Sequence, residues 1–328
     1  MTSRECVIRA LRFDGPAWVP YQLPDAFGSD MLQVGIGAHP TWTPSVQTPE
    51  RWEDEWGCIW VRLPGDHTTG QAVEHPLTDY ADFDRLRLPD YTHPARYADA
   101  RAAIGAMTEE KFVIAFVPFS LMHRVEYLRG HQAAWMDPYD HPEELERLLD
   151  LLADQTFVYI DALASAGVEG FFSADDWGLQ DRLLCAPDIF RRFFLPRYER
   201  VWAYAHDRGM STFLHSCGNI LAILPDLRAA GLDVIQMDQQ MNMGLERLGG
   251  EFGGKLCFWC PVDIQQVMPS ATPDEVRAYA RQLMDTLGTF NGGFIAKWYP
   301  FPAAVQHPEA NIRAMAEEFI RYGGKLYA

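Results

Sequence analysis

The chain has 328 residues, of which 48% are hydrophobic, and its formal net charge at neutral pH is −17. This length allows one large α/β barrel or two ordinary domains, and the apolar content argues against disorder. A net negative charge of this size, without any run of lysine and arginine, makes nucleic acids and anionic membranes poor partners. We therefore expect a globular protein that acts on a small molecule.

The start of the chain and its cysteines indicate a compartment. Met1–Leu11 is not a positively charged, apolar leader, and no apolar run approaches the roughly 20 residues needed to span a bilayer. The six cysteines are irregularly spaced, which argues against a disulfide framework. We therefore expect a cytoplasmic protein.

The N-terminal quarter mixes a few regular elements with turns. Helical spacing predicts a short amphipathic helix over Ser3–Phe13, and Trp18–Tyr21 has the composition of a strand. Asp25–Glu50 is rich in Gly, Pro and Thr and is predicted to be a long loop. Trp56–Arg62 and Gln71–His75 flank a Pro-Gly-Asp turn and predict a hairpin.

The same N-terminal region is dense in aromatic side chains. This density predicts a packed lid at about residues 14–90, whose inner side would line the pocket that it covers. The aromatic residues concerned are Trp18, Tyr21, Phe27, Trp42, Trp52, Trp56 and Trp60.

After this region, short apolar strands alternate with helices, as in parallel sheets covered on both faces. We predict a single domain over residues 1–328, an α/β fold of the (β/α)8 TIM barrel type with one strand missed or irregular. A doubly wound sheet is the alternative, but no glycine-rich phosphate loop follows any strand. The predicted strands are Phe112–Pro118, Val168–Ser173, Ser211–His215, Val234–Met237, Lys255–Cys260 and Gly293–Lys297. The predicted helices are Pro94–Met107, Pro142–Ala166, Pro187–Arg208, Ile220–Ala230, Leu245–Phe252, Thr272–Leu287 and Pro308–Tyr322.

The segment Phe213-Leu-His-Ser-Cys-Gly-Asn219 carries the strongest chemical signal. Alternation along a strand puts His215 and Cys217 on the same side, at the end of a buried strand. An imidazole beside a thiolate is half of a zinc site, although a buried histidine next to a core cysteine would give the same pattern. In a parallel barrel this pair would lie at the carboxyl-terminal face, where active sites are built.

A catalytic zinc ion needs a third protein ligand and an open position. Cys260 is the first choice, because strand alternation turns it away from Cys257 and would direct it to the barrel mouth. The alternative third ligands are Asp238, His123 and Asp176.

Other polar residues follow the predicted strands at the same face. Asp175 and Asp176 come directly after Val168–Ser173 and are the candidate catalytic residues, as a general acid or as supports for metal ligands. A helix N-cap explains one of these two carboxylates equally well. The candidate substrate-binding residues are Tyr21, His123, Gln180, Gln239 and Trp298.

With these residues the chain resembles the uroporphyrinogen decarboxylase superfamily, and within it the cobalamin-linked methyltransferase branch. The resemblance covers most of the chain, and its most specific part is Phe213-Leu-His-Ser-Cys-Gly-Asn-Ile220. Further segments that carry it are Arg4–Phe13, Glu55–Gly57, Leu128–Gly130, Asp175–Gln180, His206–Gly209, Leu224–Leu227, Pro261–Asp263 and Pro308–Asn311.

The resemblance implies a (β/α)8 barrel whose zinc ion is bound by His215 and Cys217. It also implies cobalamin on a separate corrinoid protein, since no Asp-x-His-x-x-Gly motif occurs in this chain. In this branch a later cysteine near the last strand completes the zinc site, but here that region reads Gly292-Gly-Phe-Ile-Ala-Lys-Trp-Tyr-Pro300. Either Cys260 substitutes for it, or the metal site is altered or lost.

We therefore predict a zinc-dependent methyltransferase. It would move a methyl group between a small donor, such as a methoxylated aromatic undergoing O-demethylation, and a corrinoid protein or a thiol acceptor. The first alternative is a metal-free decarboxylase or lyase acting on a small carboxylated substrate. Uroporphyrinogen itself fits poorly, because its many carboxylates need basic anchors and no Arg or Lys lies between Arg12 and Arg51. The second alternative is a binding module without activity, and the sequence leaves a homodimer open.

Overall fold

A sheet of eight parallel strands forms the centre of the molecule, and the computed structural model describes residues 1–66 and 69–327. The strands are β1 (Tyr21–Gln22), β2 (Met31–Gly35), β3 (Arg51–Glu53), β4 (Ile59–Val61), β5 (Gln71–Glu74), β6 (Phe112–Phe116), β7 (Gly170–Ala174), β8 (Ser211–His215), β9 (Val234–Gln236), β10 (Cys257–Cys260) and β11 (Phe294–Lys297). The eight-stranded sheet has the order β2-β6-β7-β8-β9-β10-β11-β1, and all its paired neighbours are parallel. The predicted (β/α)8 barrel is confirmed.

Helices alternate with these strands, and a large apolar core lies between them and the sheet. Among the described residues, no helix is both long enough and apolar enough to cross a membrane. The helices are α1 (Ser3–Leu11), α2 (Ala98–Gly105), α3 (Met122–Arg129), α4 (His131–Asp140), α5 (Pro142–Ser165), α6 (Pro187–Ile189), α7 (Leu195–His206), α8 (Leu224–Ala229), α9 (Leu245–Phe252), α10 (Pro273–Leu287) and α11 (Glu309–Gly323).

Two helical regions differ from the sequence predictions. The single helix predicted over Pro187–Arg208 is divided into α6, a π-helical turn at Phe190–Phe194, and α7. Helices α3 and α4 lie in a stretch for which no helix is predicted, directly after the loop that follows β6. Both regions contact Asp175, through the His123 amide of α3 and the Tyr198 hydroxyl of α7.

The strand that completes the barrel lies inside the segment predicted as a long loop. Strand β2 pairs with β6 over its whole length, from Met31 opposite Phe112 to Gly35 opposite Phe116. The prediction of a loop over Asp25–Glu50 is therefore wrong for these residues. The many Gly, Pro and Thr residues around β2 indicate a loop, and the strand itself is short with a polar central residue, Gln33, so its apolar pattern is weak.

The seam of the barrel lies between β1 and β2, where an isolated antiparallel bridge replaces the parallel ladder. The buried carboxylate of Asp30 joins the two sides of this seam. It accepts hydrogen bonds from the Trp18 indole at 3.1 Å and from the backbone N–H of Tyr21 at 3.0 Å. The hydroxyl of Ser3 also donates to it, which ties α1 to the same point.

A second, smaller apolar cluster fills the barrel itself. Its members alternate along the strands with residues that pack against the helices, as strand geometry requires. Val7 of α1 belongs to this cluster and closes the amino-terminal end of the barrel. The other buried members are Met31, Phe112, Ile114, Phe172, Phe213, Val234, Cys257, Trp259 and Ile295.

The remaining strands, β3, β4 and β5, form a separate antiparallel sheet in the aromatic N-terminal region. The predicted hairpin corresponds to β4 and β5, and β3 adds a strand that is not predicted. Trp52 and Trp60 stack on this sheet with ring centroids 6.3 Å apart. An ion pair of 3.2 Å between Asp54 and Arg124 connects the sheet to α3. The predicted extent of the lid, residues 14–90, stays a prediction.

Replacing Asp30 with alanine should destabilise the fold, because buried N–H donors at the seam would lose their acceptor. We expect the free energy of unfolding to fall by about 2–4 kcal/mol, measured by chemical denaturation. Asp25→Ala, in the exposed part of the same turn, is the matched control and should change little. Equal effects of the two substitutions would contradict this account of the seam.

Candidate metal centre

Two adjacent strands bring together an imidazole, a thiol and a carboxylate at the carboxyl-terminal end of the barrel. His215 is the last residue of β8 and faces the interior, because Phe213 two residues earlier belongs to the interior cluster. Ala174, the last residue of β7, pairs with His215 across the sheet. Asp176 follows β7 by two residues, and Cys217 follows β8 by two.

The three side chains form one compact group. The Nε2 atom of His215 lies 3.3 Å from the Sγ atom of Cys217 and 3.3 Å from the Oδ1 atom of Asp176. The three donor atoms all lie within 4.8 Å of one another. Zinc–ligand bonds of normal length give tetrahedral edges of about 3.4–3.6 Å between donor atoms. The spacing of this group therefore fits one zinc-type ion with three protein ligands and a fourth position left open.

The loops that carry the group pack backbone against backbone. The amide of Gly178 donates to the Cys217 carbonyl at 3.1 Å, and the amide of Cys217 donates to Asp176 Oδ1 at 2.8 Å. A Cβ atom on Gly178 would lie 2.4 Å from the amide nitrogen of Asn219. Gly218 has a φ of +74° and is equally crowded, so the Cys-Gly-Asn turn requires glycine here.

The three side chains shift one another's pKa values. Burial would lower the pKa of His215, but hydrogen bonding to Asp176 and Cys217 outweighs it and raises the pKa well above the usual value. Burial would raise the pKa of Asp176, yet its contacts with His215, His123 and the Cys217 amide bring it below the usual range. Burial raises the pKa of the Cys217 thiol, although His215 opposes the shift. Without a metal ion, these contacts favour a protonated imidazole next to an ionised carboxylate.

A relay of polar side chains fixes the orientation of the His215 ring. Gln236 Oε1 contacts His215 Nδ1, while the amide nitrogen of Gln236 donates to Asp238 Oδ1 at 2.7 Å. Since the amide group points its nitrogen at Asp238, its oxygen faces Nδ1, which must be the N–H donor. The Nε2 atom is then directed at Cys217 and Asp176, as a metal ligand requires.

Asp175, a candidate catalytic residue, is fully buried. Its carboxylate accepts from the amides of Leu121 at 2.6 Å and His123 at 2.9 Å, and from the Tyr198 hydroxyl at 2.5 Å. Burial raises the pKa of Asp175. In the structure Asp175 holds the start of α3, and with it His123, whose Nε2 lies 3.4 Å from the Asp176 amide. This placement matches the predicted role as a support for metal ligands, and the predicted role as a general acid stays a prediction.

Cys260 does not join the metal-type group, because it points to the other face of the sheet. It packs with Phe258 and Ala296 in the core between sheet and helices, whereas Cys257 and Trp259 face the interior. Burial raises the pKa of the Cys260 thiol to about 12. Cys257 and Cys260 do lie on opposite faces of β10, as predicted, but Cys260 is the one that faces the helices. The third donor beside His215 and Cys217 is Asp176, one of the alternative third ligands.

Two further predicted residues also face away from the centre. Tyr21 is in register with Ala296 and packs against the helix-side core, and its neighbour Gln22 takes the interior position. Trp298 packs against the same core. The ring of Tyr299, which is not a predicted site residue, lies 5.9 Å from the Nζ atom of Lys297 at the end of β11. Burial raises the pKa of Tyr299, and charges on Asp238 and Cys217 add to the shift.

The two predicted glutamines support loops at the mouth. Gln239 is buried, and its Oε1 atom accepts from the Gly218 amide at 2.9 Å, which holds the Cys-Gly-Asn turn. Gln180 is exposed on the rim and bonds to Gln265 and Asn242. These hydrogen bonds fix the side chains of both glutamines in place. Their predicted contact with substrate stays a prediction.

A cavity of about 830 Å³ opens between the ends of β2 and β6 and the three-stranded sheet. None of the three grouped donors lines it, but Phe116 at the end of β6 does, and β6 pairs with β7. Its walls carry buried N–H donors without an acceptor in the described structure, namely Trp42 Nε1, Trp56 Nε1 and Arg124 Nε. Burial raises the pKa of the Tyr91 phenol, and the nearby Trp56 indole opposes the shift without making a hydrogen bond of normal geometry.

Gly178→Ala should open the contact between the two loops, because its Cβ atom would collide with backbone atoms that cannot rotate away. We expect the free energy of unfolding to fall by at least about 2 kcal/mol, measured by thermal and chemical denaturation. Gly250→Ala, on a helix with open space around the Cβ position, is the control and should be neutral or stabilising. A fully stable Gly178→Ala protein would contradict the described packing.

Comparison with known proteins agrees with this architecture. The family model "Uroporphyrinogen decarboxylase (URO-D)" matches residues 61–322. A methyltransferase from Methanosarcina mazei has a similar structure, with a TM-score of 0.70, 15% sequence identity, and coverage of 98% of this chain and 99% of that one. At this identity the likeness shows the fold alone.

Curated relatives carry the name uroporphyrinogen decarboxylase. The protein of Alkalilimnicola ehrlichii is 30% identical over 196 residues, which cover 56% of this chain and 52% of the relative. That of Methylibium petroleiphilum is 25% identical over 249 residues, covering 68% of this chain and 62% of the relative. The chain thus spans less than two thirds of the length of these relatives. The family match over residues 61–322 shows that the chain belongs to the uroporphyrinogen decarboxylase family.

Proposed function

We propose that the protein is a zinc-dependent methyltransferase that moves a methyl group between a small donor and a corrinoid protein or thiol acceptor. The zinc ion would be held by His215, Cys217 and Asp176. The observation that carries the proposal is the spacing of these three donor atoms, with 3.3 Å from the imidazole nitrogen to both the sulfur and the carboxylate oxygen.

The donor set also fits zinc by charge. Asp176 carries the same single negative charge as the cysteine thiolate expected near the last strand, so a thiolate, a carboxylate and a neutral imidazole would balance Zn²⁺. A zinc ion bound there would supply Lewis acidity toward an oxygen or sulfur atom of the substrate at neutral pH. Asp176 follows β7, the strand next to β8, and so would supply the third donor from a different loop than the expected sulfur.

The residues of the chain divide the remaining work. Asp176 has a lowered pKa and remains ionised near neutral pH, so it serves as a ligand and not as a general acid. Tyr299 follows β11 by two residues, and its hydroxyl would donate to a substrate oxygen at the mouth. The cavity beside Phe116 would hold the apolar part of the donor, with the indoles of Trp42 and Trp56 binding its oxygen atoms.

The comparisons name two activities, and the charge of the N-terminal segment supports the first of them over the decarboxylation of a porphyrinogen. The name of the Methanosarcina mazei neighbour supports methyl transfer, whereas the names of the curated relatives favour decarboxylation as the second candidate. Decarboxylation of a porphyrinogen would require many basic anchors, and the segment between Arg12 and Arg51 contains none. The corrinoid protein remains a proposed partner, inferred from the resemblance to the methyltransferase branch.

The full-length protein, purified without chelators, should contain about one zinc ion per chain. Cys217→Ala should weaken zinc binding by more than about 100-fold, because it removes a ligand. Cys260→Ala is the matched control, since this buried cysteine faces the helices and should leave zinc content unchanged. Zinc content would be measured by mass-spectrometric metal analysis. Loss of zinc from Cys260→Ala and its retention in Cys217→Ala would show that Cys260, and not Cys217, is the ligand.

Methyl transfer should be detectable by mixing the zinc-loaded protein with a corrinoid protein reduced to Co(I) and a panel of methoxylated aromatics. We expect methylation of cobalt, seen in the visible spectrum, and its loss in Asp176→Ala. Carbon dioxide release from a carboxylated substrate, with no cobalt methylation by any donor, would instead establish the decarboxylase. The Cys260→Ala protein again serves as the active control.

A further inference from the structure

Lys297 is a lysine inside the barrel. Strand β11 alternates with Ile295 in the interior cluster and Ala296 in the helix-side core, so Lys297 faces inward at the mouth. The residue is only 8% exposed. A buried ammonium group is costly unless close partners replace its hydration. Lys297 lies in the segment where the methyltransferase branch is expected to have a cysteine, so a function other than zinc binding must account for it.

The Lys297 ammonium group has fewer hydrogen-bond acceptors around it than it has N–H donors. The Nζ atom has one hydrogen bond, to Asp238 Oδ1, and at 3.5 Å this bond is long. That oxygen already accepts from Gln236 at 2.7 Å. The rings of Trp259 and Tyr299 each lie 5.9 Å from Nζ and add weak cation–π contacts. An ammonium group has three N–H donors, so two of them lack a close acceptor in the described structure.

The surroundings of Lys297 connect it to the metal-type centre and to the cavity. The relay through Asp238 and Gln236 ends at His215. On the other side, Gln22 is in register with Lys297 and donates to Gln33, which lines the cavity. A small molecule at the mouth would therefore have Lys297 on one side and the three donor atoms on another.

We propose that Lys297 is an anion-binding subsite that anchors a carboxylate of the small substrate. This deepens the proposed function, because it identifies the methyl donor as a carboxylated molecule, such as a methoxybenzoate. The carboxylate would complete the hydrogen bonding of a nearly desolvated ammonium, and charge-assisted bonds of this kind are among the strongest available. The subsite also explains how the chain carries a lysine where a second sulfur is expected.

Equilibrium binding tests the proposal without requiring turnover. The three methoxybenzoate isomers and the corresponding neutral methoxybenzamides would be titrated calorimetrically into the zinc-loaded, full-length protein. We expect at least one carboxylate to bind about tenfold or more tightly than its amide. Lys297→Met should abolish this preference by weakening carboxylate binding and leaving the amide within about twofold, while Lys297→Arg should restore most of it.

A double variant separates anchoring from a merely structural role. If Lys297 only neutralises Asp238, the double variant Lys297→Met/Asp238→Asn should recover the carboxylate affinity, and that result would overturn the proposal. Equal losses for carboxylate and amide, or no preference in the wild-type protein, would overturn it as well. Should the single variant fail to fold, the double variant and Lys297→Arg still measure the preference.

The outcome is distinguishable from that of the methyl-transfer assay. A protein that prefers carboxylates through Lys297 but methylates no cobalt would keep the subsite and lose the methyltransferase proposal. Cobalt methylation with donors that lack a carboxylate, at rates unchanged in Lys297→Met, would support the methyltransferase proposal and overturn the carboxylate subsite.

Discussion

The alternation of side chains along the barrel strands is the constraint on which the rest of the structure depends. In a closed parallel sheet every second residue faces the interior, and the last interior residue of each strand reaches the mouth. This rule brings His215 of β8 and Lys297 of β11 to one opening, and it turns Cys260 of β10 toward the helices. The chemistry available at the mouth therefore follows from the phase of each strand more than from the residue types nearby.

Backbone contacts then convert this placement into a defined geometry. Gly178 and Gly218 let the loops after β7 and β8 approach so closely that the Cys217 amide reaches the Asp176 carboxylate. Buried Asp175 holds the start of α3 against the same loops, and its partner Tyr198 comes from α7, one turn beyond the π-helical segment. The group His215, Cys217 and Asp176 is thus supported from several elements before any ligand is bound.

The sequence allowed much of this to be predicted. Short apolar strands alternating with helices led to the barrel, and the His-x-Cys spacing at a strand end led to two members of the centre. Strand β2 was missed because five residues with a polar middle residue carry little periodic signal. Cys260 was misjudged because the phase of alternation depends on where a strand enters the ladder, which only the register Trp259 opposite Gln236 reveals.

The roles of Asp175 and Asp176 show a different limit of sequence reasoning. The two neighbours are chemically identical, and their environments separate them: one is enclosed by backbone amides and a phenol, and the other meets His215. Tyr299 and Lys297 had no motif to indicate them. Their significance comes from residues that surround them in space, which lie on β10 and in the loop after β9.

The position of the barrel seam has a consequence for the order of assembly during synthesis. Strand β1 has its ladder with β11, so the N-terminal strand must wait for nearly the whole chain before it gains its neighbour. The adjacent strands β7 and β8 lie well away from the seam and pair over a short sequence separation. A ribosome-bound chain can therefore assemble the ligand-bearing loops while the barrel is still an open, curved sheet, and the ammonium of the last strand arrives only when the cylinder closes.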